Sequence, residues 1–73
     1  MPHINVKMYP GCSEEQKNKI AQEITKTIMT IAQKPEAAIS VAIEEVAEND
    51  WMNLVYDQEI RPNMETLYKK PGY

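Results

Sequence analysis

Met1-Pro2-His3-Ile4-Asn5-Val6-Lys7-Met8-Tyr9-Pro10 opens the chain. Ile4, Val6 and Met8 alternate with His3, Asn5, Lys7 and Tyr9, and a period of two predicts a half-buried strand. The pattern leaves no loose leading tail. A proline behind the initiator lets the cell remove Met1, and the Pro2 nitrogen then becomes a free secondary amine at the mouth of a sheet. A free α-amino group titrates near ~7.7–8.0. Modest burial moves it towards neutrality, where a general base works best. With Met1 attached, the same nitrogen is a tertiary amide and has no basic lone pair. Proline also begins edge strands for structural reasons alone, so this stretch by itself leaves both roles open.

The next element is a long amphipathic helix, predicted over about 14–33. Ser13-Glu14-Glu15-Gln16 fits a capping box, and two glutamates in the first turn suit the helix dipole. Ile20, Ala21, Ile24, Ile28, Ile31 and Ala32 form the apolar stripe. Lys34 is expected near the carbonyl end, with Pro35 stopping the helix. A second alternating strand follows over about 39–45: Ile39, Val41 and Ile43 point one way, Ser40, Ala42 and Glu44 the other. Strand, helix and strand make a βαβ unit with parallel strands and a right-handed crossover. The fold class is α+β.

After Val46 the periodicity turns helical. Asn49 or Asp50 is the expected cap of a short helix from Trp51 to about residue 58, carrying Leu54 and Val55 as apolar positions. Pro62 interrupts the run. A second short helix is predicted over about 61–69, with Ile60, Met64, Leu67 and Tyr68 on its apolar side. No repeat or linker divides residues 1–73, which read as a single domain.

Composition narrows the functional classes. A 73-residue chain that is 42% hydrophobic suits one small globular domain, yet a domain of this size buries only ~60% of its unfolded surface. One cysteine and no metal-ligand spacing leave neither disulfides nor zinc to reinforce it, so oligomerisation is expected. A net charge of −3 lacks the basic footprint of a nucleic-acid binder. No apolar run approaches a membrane span and no signal peptide is evident, so a cytoplasmic location is the expectation. No metal or other cofactor is implied.

Among single residues, His3 has no evident serine, cysteine or metal partner and reads as structural or solvent-facing. Cys12 precedes the helix start, an electropositive place that can lower a thiol pKa, but no base stands near it in sequence. Glu44, Glu45, Glu48 and Asp50 read as a solvated rim. Trp51, the only tryptophan, suits either a core or a pocket wall.

Taken together, Met1-Pro2-His3-Ile4, the Ser13-Glu14-Glu15-Gln16-Lys17 helix start, the Ile39-Ser40-Val41-Ala42-Ile43 strand and Trp51 resemble the 4-oxalocrotonate tautomerase family in order and spacing. Ile60-Arg61-Pro62-Asn63-Met64-Glu65 and Lys69-Lys70-Pro71-Gly72-Tyr73 look most like its PptA-type subgroup. The resemblance implies a tautomerase β-α-β fold, Pro2 as catalytic base, and Trp51 in a hydrophobic pocket. It also implies arginines that hold a dicarboxylate, but Cys12 and Ser40 stand at the matching places. The only arginine, Arg61, lies in the tail. Without bidentate carboxylate recognition, the expected substrate is a small 2-oxo monocarboxylate with an apolar end, such as an arylpyruvate. The expected reaction is keto–enol proton transfer, with Ser40, a backbone amide or a water stabilising the enolate oxygen.

Lys7 and Lys34 read as solvated cations. Alternatives are a sister dehalogenase or decarboxylase activity, and a non-catalytic interaction module on the same scaffold. The amphipathic pieces after residue 50 predict a homodimer that completes a four-stranded sheet, with a hexamer as the alternative.

Overall fold

The computed structural model of the chain describes residues 1–73. Strand β1 (His3–Met8) leads into helix α1 (Glu14–Ala32), a 3-10 turn (Glu36–Ala38), strand β2 (Ser40–Glu45) and a second 3-10 turn (Glu48–Asp50). A π-helical segment (Met52–Ile60) and a 3-10 segment (Arg61–Thr66) follow. The strands are parallel and in register, with His3 opposite Ser40, Ile4 opposite Val41 and Val6 opposite Ile43. Val41 shares a groove with Ala21, Thr25 and Met29 of α1, so α1 covers the face carrying Ile4, Val6, Val41 and Ile43. His3, Asn5, Lys7, Ser40, Ala42 and Glu44 occupy the other face.

The predicted capping box forms in full. Ser13 Oγ accepts from the Gln16 amide at 3.1 Å, and Gln16 Oε1 accepts from the Ser13 amide at 2.7 Å. At the other end, Pro35 disfavours a helical Lys34. Gln33 takes up the left-handed cap at φ 56°, and Lys34 lies beyond the last turn, which holds no basic residue. Ile31, placed in the apolar stripe by its spacing, is instead 77% exposed. Strand β2 starts one residue later than its alternation suggests, because the Ile39 amide closes the preceding turn on Glu36.

The C-terminal third departs further from expectation. Neither Asn49 nor Asp50 caps by its side chain; the 3-10 turn at Glu48–Asp50 runs directly through a helical Trp51 into the π segment. Pro62 has no N–H for the carbonyl four or five residues back, and its ring crowds a regular α-helical turn. The widened winding accommodates it, with the Arg61 amide bonding the Tyr56 carbonyl. Asn63 then leaves helical geometry and Leu67 is extended, so the helix expected over 61–69 stops at Thr66. Tyr68 is fully exposed.

Only Val46 and Val55 are buried. The accessible surface is 5741 Å² for a chain of 8.4 kDa; a folded monomer of that mass exposes about 4,600 Å². The radius of gyration is 13.8 Å, where a compact domain of this length has about 11 Å. A flat slab of 35 × 31 × 19 Å with Met29, Ile31, Met52 and Leu54 exposed leaves much apolar surface unpartnered.

Candidate active site

Pro2 stands at the entrance of β1. Its carbonyl accepts the Ser40 amide at 3.2 Å, which ties the first residues of both strands together. Met1, outside this ladder, is fully exposed, so its removal costs no packing. Beside Pro2, His3 Nδ1 and Ser40 Oγ share a hydrogen bond of 2.6 Å. The partner that His3 lacks in sequence is therefore Ser40. Parallel pairing supplies it, because the two strands begin in register with His3 opposite Ser40.

Trp51 lies at the opposite end of the sheet. Its ring meets Tyr9 edge-on at 5.2 Å and 87°. Tyr9 is seven residues from Pro2 along the strand line, about 23 Å at ~3.3 Å per residue. The structure thus joins Pro2 to Ser40 but does not join Trp51 to either within one chain. Cys12 opens on a third place, a groove of about 440 Å³ along α1 with Gln16, Ile20 and Ile24.

The cleft at Trp51 has a volume of about 520 Å³ and is lined by Lys7, Met8, Tyr9, Trp51, Met52 and Tyr73. Lys7, which reads in the sequence as a solvated cation, has a side chain only 26% exposed that pairs with Glu59 of the π segment. The hydrogen bond that Lys7 donates to Glu59 raises its pKa above the usual 10.5, burial opposing it, with the charges of Glu59 and Glu44 adding to the rise. Lys7 is therefore a permanent cation at neutral pH. An ammonium has three donors, and Glu59 occupies one of them. The cleft is apolar on most sides with one positive group.

Comparison with known proteins identifies the family. A family model described as "Tautomerase enzyme" matches residues 2–56, beginning on Pro2. The chain is 43% identical to Tautomerase PptA of Cronobacter sakazakii (strain ATCC BAA-894) over 74 residues, covering 100% of this chain and 97% of that one. It is 41% identical to a probable tautomerase of Xylella fastidiosa (strain 9a5c), covering 100% of this chain and 89% of the relative. The crystal structure of DmpI from Helicobacter pylori superposes with a TM-score of 0.64 at 33% identity, over 66% of this chain and 76% of that one. YwhB, a homologue of 4-oxalocrotonate tautomerase, gives 0.63 at 32% identity, over 64% and 77%. A parallel β-α-β unit opening on Pro2, with full-length likeness to PptA tautomerases, makes this chain a member of the tautomerase family, an isomerase of the PptA-type subgroup.

Proposed function

We propose that this tautomerase interconverts keto and enol forms of a small 2-oxo acid, an arylpyruvate-like monocarboxylate, with Pro2 as general base and acid. The observation that carries the reading is the Trp51 cleft, with its aromatic walls and its single cation, Lys7. A dicarboxylate needs two cations, and no arginine lines this cleft. A monocarboxylate with a ring matches it: the carboxylate takes the two free donors of Lys7, and the ring lies against Trp51.

The proline nitrogen, once Met1 is removed, takes a proton from the carbon next to the carbonyl. The electrons of that C–H bond form the enolate C=C, and the carbonyl π electrons move to oxygen. The protonated amine then returns the proton to that oxygen, or runs the sequence backwards. When His3 carries its proton on Nδ1 it donates to Ser40, which leaves the Ser40 hydroxyl hydrogen free for the enolate oxygen.

Pro2 and Trp51 stand at opposite ends of one sheet, so a complete site takes two chains. A twofold axis that extends the sheet with antiparallel copies brings the Pro2 end of each chain to the Trp51 end of its neighbour. The result is a homodimer with a four-stranded sheet and two sites. Its exposed apolar side chains and excess surface of about 1,100 Å² per chain match the ~2,000 Å² or more of an obligate dimer.

The test is ketonisation of phenylenolpyruvate, followed by ultraviolet absorbance, with Met1 loss established by intact mass. Pro2→Ala should abolish turnover. Full activity in Pro2→Ala lacking Met1 would overturn the mechanism.

A further inference from the structure

We propose that Tyr73 is a specificity-determining residue: it fixes the Trp51 indole and forms the outer wall of the aryl subsite. This rests on the reading that the apolar end of the substrate meets Trp51. Tyr73 lies beyond residues 2–56, the stretch matched by the family model.

The indole has one N–H and no acceptor. That N–H donates to the Tyr73 hydroxyl oxygen at 2.8 Å, while the Tyr9 ring meets the indole edge-on at 5.2 Å. Together the two contacts define one orientation of a side chain that otherwise has several. Tyr73 is itself held by Tyr56, whose ring centroid lies 5.6 Å away at a 36° tilt. The Arg61 guanidinium lies over the Tyr56 ring, 4.8 Å from its centroid, and extends the row of contacts that begins at Tyr73.

Residues 67–73 contain neither helix nor strand. These aromatic contacts are therefore what places Tyr73, and in return Tyr73 places the indole. Tyr73 remains 60% exposed while lining the cleft, so its ring can be reached by a ligand. Flat aromatic walls favour a planar guest through offset or edge contacts. A small alkyl chain gains less from them and does not depend on the angle of the indole. Tyr73 should therefore govern the preference for aryl over alkyl enols, acting on binding and leaving proton transfer to Pro2.

Tyr73→Phe deletes the acceptor and keeps the ring against Tyr56. Losing one such hydrogen bond should raise KM for phenylenolpyruvate about fivefold, with kcat changed less than twofold and the values for an alkyl 2-oxo acid enol unaltered. Trp51 is the only tryptophan, so its emission should shift to longer wavelength as its N–H turns to water. A binding readout separates this inference from the catalytic reading: phenylpyruvate is titrated against Trp51 fluorescence in the silent Pro2→Ala enzyme, with and without Tyr73→Phe. Quenching weakened about fivefold by Tyr73→Phe supports the inference. Quenching of equal strength in both proteins overturns it and leaves the Trp51 site standing. No quenching in either removes the aryl site itself. Equal losses on aryl and alkyl substrates would show general loosening and would also overturn the specificity role.

Discussion

Dilution should melt this protein, by about 5 °C for every tenfold fall in concentration. With only Val46 and Val55 buried, a separated chain keeps almost no core, and unfolding is coupled to dissociation. Unfolding entropy is ~2.1 cal/mol/K per residue, so two chains of 73 residues contribute about 0.31 kcal/mol/K. Each tenfold dilution favours dissociation of a dimer by one RT ln 10, about 1.5 kcal/mol near 60 °C. The quotient is about 5 °C. A hexamer releases six chains, so five such increments act against about 0.92 kcal/mol/K, and the slope becomes about 8 °C. A stable monomer has a slope of zero. Circular dichroism melts over a hundredfold concentration range, under reducing conditions and with reversibility established by rescanning, distinguish the three. A melting temperature independent of concentration would refute the argument that the core forms between chains. The steeper slope, together with a light-scattering mass near six chains, would replace the dimer by the hexamer.

Ser13→Ala removes one half of the capping box and should cost about 1 kcal/mol per chain, lowering the melting temperature by roughly 4–8 °C; Ser13→Gly should cost only a few tenths of a kcal/mol. Glu59→Gln removes the competitor for Lys7 and should lower KM for the carboxylate substrate roughly threefold. Lys7→Met should raise that KM roughly tenfold; parallel steady-state assays with a neutral ester of the substrate should show neither effect. The raised pKa of Lys7, and of Lys17 through its hydrogen bond to Glu14, means that these ion pairs contribute fully below the unfolded value of 10.5 and fade as pH climbs through the higher folded values. The stability difference between wild type and Lys7→Met should therefore be constant from pH 7 to about 9 and shrink above 10.5 in urea titrations.

The elements that could be read from the sequence are those whose causes are local. Ser13 and Gln16 are three residues apart and cap each other whatever the rest of the chain does. Alternation identifies two strands, the second over about 39–45 against the observed Ser40–Glu45, and the helix between them makes the pairing parallel. The contacts that shape the site span far more of the chain: His3 with Ser40 across 37 residues, Lys7 with Glu59 across 52, Trp51 with Tyr73 across 22. None leaves a periodic trace. The Lys7 pair depends on a π-wound segment that Pro62 helps to impose, and the Tyr73 contact depends on a tail with no regular structure.

The long-range contacts also divide the site. One end of the sheet holds Pro2 and Ser40, the other holds Trp51, Lys7 and Tyr73, and about 23 Å of strand separates them. A base at one end cannot reach a substrate seated at the other end of the same chain. On the proposed reading, in which Pro2 is the base and the Trp51 cleft seats the substrate, the event that supplies a core to a chain with two buried residues is the same association that completes the site. Activity and folding should fail together on dilution: at the concentration where half the melting signal is lost at a fixed temperature, half the turnover per chain should be lost as well. Turnover that persists per chain after the assembly has dissociated would mean that one chain carries a whole site, and the shared-site geometry would have to be abandoned.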